Sequence, residues 1–122
     1  MRADSSIGAF FLADFSDEGN MIDGAGHGTH VAGTIGSVTW GVAKKTNLLA
    51  VRVLDSYGSG TNAGVLAGMD FVITDAKARA DAGECPKGFV ANMSLGGNKL
   101  QAMNDAVSSQ FALFTIDMLT SI

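Results

Sequence analysis

The stretch Asp23-Gly24-Ala25-Gly26-His27-Gly28-Thr29-His30-Val31-Ala32-Gly33-Thr34 sets a histidine between two glycines, just ahead of a run of small and branched residues. That run predicts a short helix over 27–36 with small residues on its packing side. The glycines beside His27 leave room for another backbone to approach the imidazole. On the N-terminal side, residues 9–14, Ala-Phe-Phe-Leu-Ala-Asp, read as a strand. On the C-terminal side, residues 47–54 form a near-continuous apolar run with a valine-rich end, the pattern of a strand buried on both faces. Tyr57-Gly58-Ser59-Gly60 is a loop, and Thr61 or Asn62 can cap the helix that follows. That helix extends to about residue 80. Val65, Leu66, Met69, Val72, Ile73 and Ala76 recur at spacings of three and four and mark its buried face. After a polar turn over 81–88, residues 89–95 make a second continuous apolar strand, broken by Gly96-Gly97. Residues 100–110 suit a short amphipathic helix. Strands alternating with helices predict an α/β fold, a parallel sheet with helices on both faces.

Bulk properties narrow the function classes. With 122 residues, 47% of them apolar and 16% charged, the chain is sized and composed for one folded domain spanning 1–122. A formal charge of −4, with Lys44-Lys45 its one basic pair, argues against a nucleic-acid partner. No run approaches the roughly 18 apolar residues of a membrane helix. The segment Met1-Arg2-Ala3-Asp4 lacks the apolar core of a signal peptide. One cysteine, Cys85, allows no internal disulfide. By itself it reads as a small, inert, partly buried residue. A reactive thiol wants an electropositive setting, and Glu84-Cys85-Pro86-Lys87 offers one lysine against one acid.

Histidine suits a general base because its reference pKa, about 6.5, lies near working pH. An isolated His-Gly pair would equally fit a structural histidine, and the specificity lies in the whole string from Asp23 to Thr34. His27 and His30 are three apart on one helix face, a zinc-compatible spacing, but two histidines without a third protein ligand make a poor zinc site. No metal or cofactor is expected, and His30 is expected to pack or bond within the helix.

The string around His27 resembles the catalytic-histidine motif of the subtilisin-like serine proteases, especially the proteinase K branch. The resemblance implies that His27 is the base of a Ser-His-Asp triad. Two further segments are similar to the family. Val51-Arg52-Val53-Leu54-Asp55-Ser56-Tyr57-Gly58-Ser59-Gly60 looks like its first substrate-binding strand and loop, and Met93-Ser94-Leu95-Gly96-Gly97 looks like the second. Gly41-Val42-Ala43-Lys44 and Gly68-Met69-Asp70-Phe71-Val72 also match it. Family membership implies that Gly58, Ser59 and Gly60 on one edge, and Ser94, Leu95 and Gly96 on the other, hold an extended peptide as an added strand. Backbone hydrogen bonds would then give affinity and side pockets preference. In the proteinase K branch a cysteine before this Pro-Lys-Gly turn pairs with one upstream, which leaves Cys85 without that partner here.

The resemblance runs continuously over about residues 24–105 and more loosely over the N-terminal strand; the tail over 111–122 diverges. The family's Asp-Thr/Ser-Gly and Gly-Thr-Ser-Met-Ala motifs, and the Ala-Ala-Gly-Asn segment whose asparagine lines its oxyanion hole, are not present in these residues. Ser121 has no glycine elbow and is not expected to act as a nucleophile. The expected reading is therefore a partial subtilisin-like peptidase domain, inactive by itself. It retains His27 and both substrate edges, and its substrate is a peptide or protein in extended form. A non-catalytic peptide-binding module using the same two edges is the alternative. The resemblance implies secretion. Unpaired apolar strands would also favour self-association.

Overall fold

The computed structural model describes residues 8–84, 87–98, 101–110 and 116–119. In chain order the elements are β1 (Ala9–Asp14), α1 (His27–Gly36), β2 (Leu48–Arg52), α2 (Asn62–Asp81), β3 (Phe89–Asn92), α3 (Gln101–Gln110) and β4 (Ile116–Leu119). They divide between two compact units, Met1–Gly68 and Met69–Ile122.

In the first unit β1 and β2 pair in parallel from Ala9 opposite Leu48 to Asp14 opposite Arg52. Parallel neighbours need a crossover rather than a hairpin, and α1 lies in the connection between them. A register shift between Phe11 and Ala13 takes up one extra residue on β1. The pairing therefore brings Asp14 and Arg52 to the same end of the ladder. In the second unit β3 and β4 also pair in parallel, Phe89 opposite Ile116 through Asn92 opposite Leu119. The expected α/β class with parallel strands is present. β4 has no counterpart in the sequence reading, which assigned no element to the tail.

Both apolar strands are shorter than their sequence runs. Beyond Arg52 the chain bends so that the Arg52 Nε–H reaches the Leu54 carbonyl at 2.9 Å, which closes the strand. Beyond Asn92 the side-chain amide donates to Ser94 Oγ at 3.1 Å. Burial on both faces is not seen: Leu49 is 38% and Val90 66% exposed. Each described strand has a single hydrogen-bonded neighbour, so one edge of each lacks the cover that the apolar pattern anticipates.

Helix α2 follows its expected face, with Met69 and Ala76 buried and Val65, Leu66, Val72 and Ile73 half-buried. Thr61 is its cap: the hydroxyl accepts the Gly64 N–H at 3.0 Å. Its C-terminus closes on Gly83, whose φ of 71° is left-handed. The Glu84 N–H reaches the Arg79 carbonyl at 3.0 Å and the Gly83 N–H the Ala80 carbonyl at 2.9 Å, a Schellman closure. Leu100, at the expected start of α3, lies outside the described residues, as does Cys85.

Candidate active site

His27 is the first residue of α1, and both it and His30 are exposed. The N-cap position is Gly26, left-handed at φ 79° and without a side chain to cap the helix. Asp23 supplies the cap from further upstream. Its Oδ1 accepts the Gly26 N–H at 2.9 Å, and its Oδ2 accepts the Thr29 N–H at 2.7 Å and the Thr29 hydroxyl at 2.6 Å. These donors, the Thr29 hydroxyl foremost, hold the Asp23 carboxyl below the usual carboxylate range. The His27 end of α1 is thus fixed by an anion placed where the helix dipole favours one.

The first expected substrate edge is braced by two carboxylates. From within the loop, Asp55 Oδ1 accepts the N–H groups of Tyr57 at 2.8 Å and Ser59 at 2.9 Å. The Asp55 N–H donates to the Ser59 carbonyl at 2.7 Å. From outside, Glu18 Oε1 accepts the Ser56 N–H at 3.0 Å and Oε2 accepts the Ser56 hydroxyl at 2.7 Å. Gly58 has φ 80°, which suits glycine, and a Cβ on Gly60 would overlap the Val53 carbonyl and stand 2.9 Å from Leu54 Cδ2. Both glycines therefore have a local backbone reason to be where they are. An open depression of about 380 Å³ lies along this loop, bordered by Phe15, Asp17, Tyr57 and Gly60 among others.

Arg52 ties the two parts together and was not singled out by the sequence reading. It is buried, and its guanidinium has a partner on every side. Nε donates to the Leu54 carbonyl, and Nη1 to the Asn20 side-chain and backbone oxygens at 2.7 and 3.3 Å. Nη2 donates to Ser56 Oγ at 3.3 Å and to the Glu18 carboxylate, while Asp14 lies 3.7 Å from Nη1. A buried cation is tolerated only when paired and hydrogen-bonded in this way. The Ser56 N–H and hydroxyl, with Arg52 beside them, hold the Glu18 carboxyl at about 2, well below its ordinary 4.5. The signal in the sequence was an arginine interrupting an apolar strand, with acids at 14, 17 and 18 available to meet it.

Gly24 brings the turn before His27 against this loop. A Cβ built there would overlap Ser56 Oγ and stand 2.7 Å from Ser56 Cβ. The structure thus brings together the turn before His27 and the Asp55 to Gly60 loop. The second expected edge belongs to the other unit: Ser94 and Leu95 are half-buried, Gly96 is exposed, and a Cβ on Gly96 would meet nothing within 4 Å. Among the described residues, no atom stands close enough to require glycine there. Among the described residues no three His, Cys, Asp or Glu side chains gather as a metal site, and no helix is long and apolar enough to cross a membrane.

The first unit is thus a parallel βαβ unit with an exposed histidine at the start of its helix, and residues 13–118 match the subtilase family. The chain belongs to the subtilase family of serine proteases. It is 57% identical over 100 residues to Proteinase T of Parengyodontium album, covering 82% of this chain and 33% of that one. It is 50% identical over 101 residues to the Cuticle-degrading protease of Metarhizium anisopliae, covering 83% of this chain and 25% of the relative. Among solved structures, a cold-adapted subtilisin-like serine proteinase superposes with a TM-score of 0.75 at 38% identity, covering 92% of this chain and 38% of its own. The proteinase K-like character anticipated from the motifs is shared by these relatives. The chain spans a third or less of the length of the curated relatives named here.

Proposed function

We propose that these residues are the part of a subtilisin-like serine endopeptidase that carries the catalytic base and both substrate-binding edges. In this reading the His27 imidazole takes the proton from a serine hydroxyl as it attacks the scissile carbonyl and returns it to the leaving amine. An extended peptide is bound through its backbone, by Gly58, Ser59 and Gly60 as the first edge and by Ser94, Leu95 and Gly96 as the second. The observation that carries the proposal is the packing of Gly24 on Ser56, which sets the turn before the base against the first edge. The exposure of Gly96 supports it further, because its backbone is open to an approaching peptide. The 122 residues themselves contain no counterpart of the family's nucleophile motif, so by themselves they bind extended peptides without cleaving them. Secretion follows from the same family reading.

The test is titration with an extended, uncleaved peptide. The chain binds it, and Gly96→Val weakens binding at least tenfold while leaving the unfolding midpoint unchanged, since a Cβ at this exposed position meets no described atom within 4 Å. Equal affinity in the two proteins would remove Gly96 from the substrate edge. No binding at all would defeat the whole reading.

A further inference from the structure

The Asp55 to Gly60 loop is braced from a distance in sequence by one residue of the segment before the histidine turn. We propose that Glu18 is a positioning residue for the first substrate edge, acting through Ser56; this inference rests on the peptide-binding reading above.

Three observations support it. Glu18 spends both carboxylate oxygens on one residue of the edge, Oε1 on the Ser56 N–H and Oε2 on the Ser56 hydroxyl, across 38 positions of sequence. The same carboxylate pairs with Arg52, whose guanidinium is anchored in turn on Asn20 and the Leu54 carbonyl, so the brace is itself held. Ser56, once fixed, is the residue against which Gly24 packs, and it adjoins Asp55, whose carboxylate organises Tyr57 and Ser59. Glu18 therefore orders the loop from its base. Asp55 orders it from within. A backbone edge that must offer hydrogen bonds to a passing peptide gains affinity when its geometry is set beforehand. Charge-assisted hydrogen bonds to a carboxylate are among the stronger means of setting it.

The test compares the 122-residue chain with Glu18→Ala and Glu18→Gln by amide hydrogen exchange and by titration with an extended, uncleaved peptide. The amides of Leu48, bonded to the Gly8 carbonyl, and Ala43, bonded to the Ile35 carbonyl, serve as internal references away from the loop. In Glu18→Ala, exchange at Ser56, Tyr57 and Ser59 rises about tenfold or more over the references, and peptide affinity falls by a similar factor. Glu18→Gln keeps an oxygen for the Ser56 N–H but loses the charge facing Arg52, so its changes are smaller in the same order. Acceleration at Ser56 alone, with Tyr57 and Ser59 at wild-type rates, would confine Glu18 to a single local bond and overturn the proposal. Uniform acceleration including Leu48 and Ala43 in both variants would make it a residue of general stability and overturn it too. Loosened loop amides with unchanged peptide affinity would show that the edge does not depend on this brace. A wild-type chain that binds no peptide defeats the peptide-binding reading, whereas the exchange pattern reports separately on whether Glu18 orders the loop.

Discussion

Asp23 caps the helix that carries His27 by accepting two hydrogen bonds from Thr29, one from the backbone N–H at 2.7 Å and one from the hydroxyl at 2.6 Å. The cap position itself is a glycine in the left-handed region, so the carboxylate three residues upstream does the work a serine or aspartate at the cap would otherwise do. Asp23→Ala is expected to destabilise the chain by about 0.5–2 kcal/mol, the usual value of a lost cap. The Thr29 amide should become the most strongly accelerated in hydrogen exchange. An unchanged Thr29 amide would show that the cap is not made in solution.

Acid should remove the brace between Glu18 and Ser56 only at low pH. The folded-state value for Glu18 is about 2 against an ordinary 4.5. Because folding lowers this pKa, the unfolded chain takes up the proton first as pH falls. The stabilisation is therefore complete above about pH 4.5 and is lost on the way down through about pH 2. The difference in unfolding midpoint between the wild type and Glu18→Gln should be constant from neutral pH to about 4.5 and vanish toward 2. A difference that disappears well above pH 4.5 would mean that Glu18 has no such partners in the folded state.

Much of this was legible in the sequence. The helix from His27 to Gly36 is announced by its glycine-flanked histidine and small residues, and the long helix by the spacing from Val65 to Ala76. Strand limits were less legible, because Arg52 and Asn92 end their strands through side-chain bonds that hydropathy does not register. The brace from Glu18 to Ser56 was invisible for a different reason. It joins residues 38 apart, and only the parallel register that sets Asp14 opposite Arg52 brings their loops together. The glycines of the first edge were readable as turn formers or as substrate contacts. Gly58 and Gly60 turn out to have backbone reasons of their own, while a Cβ on Gly96 would meet no described atom within 4 Å.

Gly24 and Ser56 should be energetically coupled. A methyl group on Gly24 would overlap Ser56 Oγ and come within 2.7 Å of Ser56 Cβ and 3.2 Å of its Cα. Ser56 cannot swing aside without giving up its bonds to Glu18. Gly24→Ala is expected to cost about 1–3 kcal/mol, as overpacking does. In a Ser56→Gly background the same substitution should cost markedly less, which a double-mutant cycle reads directly. Additive losses would separate the histidine turn from the first edge.

Catalysis by these 122 residues should be absent. In this family, with subtilisin itself as the measured case, loss of the serine or the histidine costs about 10⁶ in turnover. The motif carrying that serine does not occur in the sequence. Peptide hydrolysis should therefore equal that of a His27→Ala control, and a serine-directed phosphonate should leave no label. Turnover lost specifically in His27→Ala would reveal a nucleophile elsewhere in the chain.

The last expectation concerns association. Among the described residues no side chain is less than 2% exposed, and Met69 and Ala76 are the buried apolar residues. Against that thin interior, Val38, Trp40 and Val42 are 84–89% exposed on one loop, and Val90 is 66% exposed on β3. The loop displaying Trp40 is itself well held, with Lys44 Nζ donating to the carbonyls of Thr39 at 3.0 Å and Gly41 at 2.8 Å. The indole is thus presented to solvent by a defined backbone. Exposed apolar surface together with one-sided strand pairs is the setting for self-association. The chain should bind a hydrophobic dye, grow in apparent size with concentration, and unfold over a broad transition. Trp40, its single tryptophan, should emit as a solvated indole at low concentration and shift to the blue on association. Trp40→Ser should reduce both dye binding and association while changing stability by no more than about 0.5 kcal/mol, as an exposed substitution does. A monodisperse monomer with sharp, cooperative unfolding and little dye binding would show that the exposed apolar surface does not govern its behaviour.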